Sequence, residues 1–286
     1  TARTSVGLSD LNEVISGNSV TKDIETLMQM IYLRFEKPRF DEDAFNVLQG
    51  NITNYLARRS KDVNEKMRDS VTTTLYGINN PKRPIFNLDM VKKVSFDNIK
   101  SIYNERFNNV ADFNIFVVGD VKKETIKPLL EKYIASISSS ENRENWKNNS
   151  ESWVSTTIDK DIFLKMEDPK STVRIGYKND FKYNLKNAML AKTLGDILTL
   201  RYTETLREEE GGTYGAGAGA SLSKRPVEKV SLQVNFDCNP DKVETLITIV
   251  HNEINKIAKG NILAEDIAKI KSNLLKEYTQ QKGYNS

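Results

Sequence analysis

The sequence predicts an α+β protein made of two related layered domains, each a mainly antiparallel sheet covered by helices on one face. Three observations lead there. Apolar residues recur at helical spacing over most of the chain, and short runs of strand length stand between those stretches. In addition, FNIFVVGDVKKETIKPLLEKYI (113–134) and SLQVNFDCNPDKVETLITIVHNEI (231–254) share one order of strand, tight polar turn and amphipathic helix. Two domains on one plan give such an echo when each packs helices against one side of a sheet.

The elements follow in order. Residues 22–37 place Ile24, Leu27, Met28, Ile31 and Phe35 on one helical face, and Pro38 ends that helix. Residues 41–60 repeat the pattern with Phe45, Leu48, Ile52 and Leu56 behind an Asp41 N-cap. Val63, Met67 and Val71 mark a further helix, YGINNPKRPIF (76–86) is turn-rich, and Ser95 caps a helix that turns Ile99, Ile102 and Phe107 inward. FNIFVVGD (113–120) predicts a buried strand, followed by a helix with Ile126, Leu129, Leu130, Tyr133 and Ile134 on its apolar face. ISSSENRENWKNNSE (137–151) has no periodicity and reads as linker. The expected division is a domain over 1–137, a linker over 138–152 with Trp146 and Trp153 stapling it down, and a domain over 153–286.

In the second domain DIFLKM (161–166) and STVRIGY (171–177) read as strands around the turn EDPK. A long helix over about 185–207 turns Leu190, Leu194, Ile197 and Leu198 inward. Val230, Leu232, Val234 and Phe236 alternate with polar residues, which predicts a half-buried strand. Asn239-Pro240 opens a helix with the stripe Val243, Leu246, Ile247, Val250, Ile254 and Ile257, stopped by Gly260. A last helix carries Ile267, Ile270, Leu274 and Tyr278.

Composition removes several function classes. The 286 residues carry 42 basic and 39 acidic side chains, net +3, well interspersed. A dedicated nucleic-acid surface would show a basic cluster, whereas the dense group Arg58, Arg59 and Lys61 reads as a solvated helix face. No apolar run approaches the roughly 18–20 residues of a membrane span. No signal peptide is visible, and the chain starts at Thr1 without methionine, so it reads as a fragment whose targeting segment could lie elsewhere. The single cysteine, Cys238, excludes an internal disulfide or a multi-cysteine metal site. The single histidine, His251, cannot supply a two-histidine zinc site and reads as an ordinary helix-surface residue.

The stretch TETLREEEGGTYGAGAGA (203–220) carries five glycines within residues 211–219. Gly215, Gly217 and Ala220 formally fit a dinucleotide fingerprint, but that motif needs a strand before it and a helix after it, and here the order is reversed. Alternatively, period two places Gly215, Gly217 and Gly219 on one face of a strand, a bare backbone shelf on which a helix could lie. A third reading uses Arg207 and Tyr214, a forked guanidinium and a phenolic donor flanking the Gly211-Gly212 turn. Beside a smooth backbone shelf, two such donors suit an extended peptide, and tyrosine donation to a developing oxyanion is a known catalytic role. The glutamates at 208–210 point in different directions on a helix and read as solvent-facing.

LREEEGGTYGAGA resembles the Arg/Tyr segment in the C-terminal half of the pitrilysin/insulinase family of zinc peptidases, the inverzincins, and residues 23–45, 103–136 and EDIAKIKSNLLKEY resemble that family too. The likeness runs from about Gly17 to Tyr278, in family order, and is greatest to bacterial periplasmic-type members. The resemblance implies two related halves enclosing a chamber, each of two α+β domains, with H-x-x-E-H and a downstream glutamate in the N-terminal half. It implies that Arg207 and Tyr214 reach substrate across the chamber, Tyr214 as the carbonyl or oxyanion donor. Gly215 and Gly217 would belong to the peptide-binding strand, whose edge would take the peptide as an added strand. This chain has no H-x-x-E-H. The expectation is therefore the substrate-binding C-terminal half of a zinc metalloendopeptidase, inactive alone and without a metal site. Zinc would reside on an N-terminal half or a partner subunit, the substrate would be a peptide, and the location the periplasm or cell envelope. The alternative is a non-catalytic member acting as a structural or substrate-holding subunit.

Overall fold

The computed structural model describes residues 1–141 and 143–283; the side chains of Glu209 and Tyr214 lie outside the described residues. The chain is α+β and forms two compact units, one over Thr1–Leu164 and one from Lys165 onward.

The first unit opens with a hairpin that the sequence reading did not anticipate. β1 (Arg3–Leu8) pairs antiparallel with β2 (Glu13–Asn18), with Arg3 opposite Asn18 and Leu8 opposite Glu13. Ser9 closes the turn, its hydroxyl accepting the Leu11 and Asn12 N–H groups at 3.3 and 3.0 Å. α1 (Ile24–Glu36) lies against the hairpin and buries Leu27 and Met28. Their approach is so close that a Cβ on Gly17 would stand 2.6 Å from Leu27 Cδ1. α2 (Glu42–Arg59) has the expected cap, the Asp41 carboxylate accepting from Ala44 N–H at 3.0 Å. α3 (Val63–Tyr76), α4 (Leu88–Lys93) and α5 (Phe96–Arg106) follow, and the Ser95 hydroxyl accepts from Asn98 N–H at 3.1 Å to start the last of them. α6 (Lys123–Leu129) runs on into a π turn over Leu130–Ile134. Phe35, Tyr103, Phe107 and Phe113 make the aromatic heart of the unit.

Five expectations need correction. Ile99, Ile102 and Leu190, expected inward on their helices, are 38%, 49% and 57% exposed. Residues 113–118 are not in a strand: the run has no ladder, and Phe116 is 85% exposed. Residues 161–166 likewise carry no strand, with Phe163 90% exposed. In both cases local apolar character found no neighbouring strand to pair with, and a strand without a ladder leaves its backbone groups to water. Arg59 is not on a solvated face; its side chain is mostly buried and ion-paired with Glu65 at 2.6 Å and with Asp69. Trp146 is 57% exposed rather than packed down. The stretch after Ile137 is instead tied to the first unit by backbone donation, Ser138 N–H to Glu36 at 2.6 Å, Ser140 N–H to Asn109 at 3.0 Å and Val154 N–H to the Leu75 carbonyl at 2.9 Å.

The second unit is a sheet with helices on one side. β3 (Ser171–Asp180), β4 (Thr213–Ser223) and β5 (Lys229–Cys238) form an antiparallel sheet in the order β3-β5-β4, so β5 is central and β4 an edge. α7 (Leu185–Tyr202) connects the two outer strands, and α8 (Val243–Ala258) and α9 (Ala264–Gln281) follow β5. The alternation in β5 is as expected, with Leu232, Val234 and Phe236 buried between exposed Gln233 and Asn235. They join Leu198, Tyr202, Leu206, Leu246 and Val250 in one core. Each fully buried large side chain there stabilises by about 1.5–3 kcal/mol relative to leaving it in water.

Candidate functional site

The glycine-rich strand is positioned by α7. Gly195 brings the helix onto β4: a Cβ there would lie 2.6 Å from the Ala220 amide nitrogen and 3.2 Å from Gly219 backbone atoms. One turn later the Thr199 hydroxyl accepts the Ala218 N–H at 3.0 Å and donates to the Ala218 carbonyl at 2.9 Å. The close-approach glycine is therefore in the helix. Ala216, Ala218 and Ala220 pack against the core, whereas a Cβ on Gly215, Gly217 or Gly219 would meet nothing within 4 Å. Period two did produce a bare shelf, but the helix lies on the alanine side and the shelf is open. The dinucleotide reading fails here too, because the glycines lie within a strand and no helix N-terminus follows them.

The outer edge of β4 is not free along its length. Thr199 occupies the Ala218 peptide groups, and α7 covers the backbone at Ala220. The Thr213 hydroxyl similarly accepts the Gly215 N–H at 3.2 Å and donates to its carbonyl at 2.9 Å, beside an irregularity between Thr213 and Ala216. An added strand would need those groups, so the edge expected to receive a peptide is blocked over its middle. What stays available is the face. Across the sheet on that face, Gly217, Asn235 and Arg174 stand in one row and Gly219, Gln233 and Gly176 in the next.

After α7 the chain continues as a π turn, Thr203–Glu209, in which Glu210 N–H reaches back to the Thr205 carbonyl. Such turns often mark functional sites. Leu206 is fully buried while Arg207, the next residue, is exposed. Gly211, at φ +58°, ends the turn in the left-handed region that favours glycine. Gly212 then passes close to Leu246, where a Cβ would be 2.9 Å from Cδ2. This reversal carries the chain from Arg207 to the start of β4. Tyr214 belongs to β4 by its backbone; its side chain lies outside the described residues.

Arg207 has no ion-pair or hydrogen-bond partner among the described residues. Its sequence neighbour Glu204 is taken by Arg201, Nη1 to Oε2 at 2.6 Å. Arg201 also reaches Glu253 on α8 at 3.3 Å, and Lys256 meets the other Glu253 oxygen at 2.6 Å. Burial opposes the Arg201 charge, but the hydrogen bond to Glu253 and the fields of Glu204, Glu253 and Asp266 leave its pKa above the ordinary value. Thr199, Arg201 and Glu253 were not singled out in the sequence. A carboxylate at the Glu253 position, on the apolar stripe of α8, was the available signal.

The residues present do not fit a zinc ion. His251 Nδ1 is 2.9 Å from the Tyr177 hydroxyl, and Cys238 is buried toward the core with its thiol pKa pushed up by burial. Among the described residues no group of three or more His, Cys, Asp or Glu is placed to hold a metal, and no helix is long and apolar enough to cross a membrane.

Comparison with known proteins gives a consistent kinship. A probable zinc protease PqqL of Haemophilus influenzae is 21% identical over 279 residues, covering 96% of this chain and 28% of that protein. The crystal structure of the periplasmic protease PqqL from Escherichia coli superposes with a TM-score of 0.83 at 18% identity, over 99% of this chain and 31% of that one. The separately solved first half of the same protease also superposes, with a TM-score of 0.66 at 16% identity over 97% of this chain and 60% of that one, so the fold here resembles both. The chain thus spans under a third of the length of its curated relatives. The family described as peptidase M16 inactive domain matches residues 93–274, and the chain belongs to that family.

Proposed function

We propose that this chain is the substrate-holding C-terminal half of an M16-type zinc peptidase, and that Arg207 and Tyr214 grip an extended peptide laid over the glycine face of β4. One observation carries the proposal: Arg207 is exposed and unpaired among the described residues, and the turn that holds it leads through Gly211 and Gly212 into a strand with one face free of side chains at Gly215, Gly217 and Gly219. A guanidinium offers several donors in a fixed planar fork, which suits peptide carbonyls or a carboxylate. Glycine lets a second backbone approach closely. The exposed Asn235 and Gln233 amides on the same face add donors and acceptors for a polypeptide. Tyr214 is assigned the donor to the reacting carbonyl, where charge develops in the transition state. Zinc is assigned to an N-terminal half or a partner subunit, and this chain alone is expected to be inactive. A periplasmic or envelope location follows from the likeness to a protease named as periplasmic.

The test is kinetic, on the full-length protein with its zinc-bearing half. Tyr214→Phe should lower kcat on the order of 10²-fold, with a smaller change in KM, as for loss of an oxyanion donor. Arg207→Lys should raise KM, because the fork is lost while the charge stays. If both variants match the parent in kcat and KM, the assignment is wrong. Zinc analysis and a peptidase assay on this chain beside the full-length protein separate a catalytic half from a holding subunit: zinc and turnover in the longer protein alone support the peptidase, and their absence from both supports the subunit.

A further inference from the structure

We infer that Arg201 is a positioning residue for Arg207: by engaging Glu204 it keeps the Arg207 guanidinium unpaired and open to solvent. The inference rests on the reading of Arg207 as a peptide-gripping group and adds how that group is kept available.

Glu204 lies three residues after Arg201 and three before Arg207. Arg201 stands on the last turn of α7, and Arg207 lies in the same π turn as Glu204. The structure gives Glu204 to Arg201, at 2.6 Å. The reason lies outside the turn. Glu253 on α8 is 2% exposed and already holds Arg201 through Nε at 3.3 Å, so the Arg201 fork is immobilised before it meets Glu204. Lys256, at 2.6 Å from the other Glu253 oxygen, balances that buried carboxylate, and the Thr205 hydroxyl bonds the Arg201 carbonyl at 2.8 Å. Arg207, by contrast, would have to order a long exposed side chain to win the same carboxylate, at a cost in rotamer freedom. A second nearby acid, Glu210, stands 4.0 Å from Lys242 Nζ. Glu204 is thus held by another cation, and Glu210 has a loose surface neighbour in Lys242. The functional consequence is direct, because a guanidinium held in a fork by a neighbouring carboxylate has fewer donors for a peptide carbonyl.

The test reads Arg207 itself. Arginine modification by phenylglyoxal, quantified at Arg207 by peptide mass spectrometry in the full chain, reports whether its guanidinium is free. In Arg201→Met, Glu204 is released and should capture Arg207. Labelling should slow by about two- to fivefold, the worth of an exposed ion pair. KM of the assembled peptidase should rise by a similar factor, with kcat nearly unchanged. The double variant Arg201→Met/Glu204→Gln should restore parental labelling and KM, which loss of structure would not do. If Arg201→Met fails to fold by circular dichroism, Arg201→Lys serves in the same pair, since it keeps a charge for Glu253 but cannot span both carboxylates. Labelling at the parental rate in the folded single variant, or no recovery in the double, overturns the inference. If labelling responds as expected while KM does not, the positioning of Arg207 stands and its peptide-gripping role falls.

Discussion

The contact between α7 and β4 makes a sharp prediction about two glycines. Gly195→Ala adds a methyl group on the helix side. On intrinsic propensity alone, the change should stabilise by about 1 kcal/mol, because alanine is the better helix former. The structure says otherwise. The new Cβ would stand 2.6 Å from the Ala220 nitrogen and 3.2 Å from the Gly219 Cα and carbonyl carbon, all backbone atoms that cannot rotate aside. Helix and strand must separate by about 1 Å to reach ordinary contact, and overpacking of that kind costs about 1–3 kcal/mol. The same separation strains the Thr199 bonds to Ala218, at 3.0 and 2.9 Å, each worth about 1 kcal/mol net. The balance is a loss of about 2 kcal/mol, and amide exchange of peptides from 185–223, read by mass spectrometry, should accelerate up to about 30-fold. Gly219→Ala is the control: its Cβ points to open space on the other face, so stability should hold within about 0.5 kcal/mol. Equal protection in Gly195→Ala and parent, or equal damage from Gly219→Ala, would refute the assignment of helix side and open side.

Two further outcomes follow from the same unit. Gly217→Val places a branched side chain on the open shelf, where nothing stands within 4 Å; stability should barely change while KM for peptide substrates rises in the assembled peptidase, and unchanged KM would show that the shelf is not where peptide lies. Tyr202 is fully buried, its hydroxyl donating to the Val250 carbonyl at 3.3 Å, and its phenol pKa is raised by burial first and then by the fields of Tyr177 and Glu253. A raised folded-state pKa means the contribution is fully present below the unfolded value near 10 and is lost at higher pH, where the unfolded chain ionises and the folded one does not, by at most about 1.4 kcal/mol per pH unit. Tyr202→Phe should therefore lose about 1 kcal/mol at pH 7 for the missing hydrogen bond but show a shallower fall between pH 10 and 11.5 in urea midpoints; parallel curves would contradict it.

The sequence disclosed what depends on local periodicity and little of what depends on pairing. The helices within 22–37, 41–60, 185–207 and 239–260 declare themselves because apolar residues recur on one face at a spacing visible in one dimension, although Leu48 and Leu190 of those stripes stay exposed. β5 is equally plain, since a central strand with one covered face must alternate. Residues 113–118 have the same apolar character and no strand, while Arg3–Asn18 forms a hairpin from an unremarkable polar pattern, because strand formation needs a partner that composition does not name.

The candidate site divides along the same line. The shared face of Gly215, Gly217 and Gly219 followed from a period of two, but which face α7 would take did not, because a lone helical glycine, Gly195, decides it through a contact 24 residues away in sequence. The availability of Arg207 depends on a carboxylate farther still, Glu253, which acts on it only through Arg201 and Glu204. A motif can therefore name the residue proposed to grip, while the fold decides whether its hydrogen-bond donors are free.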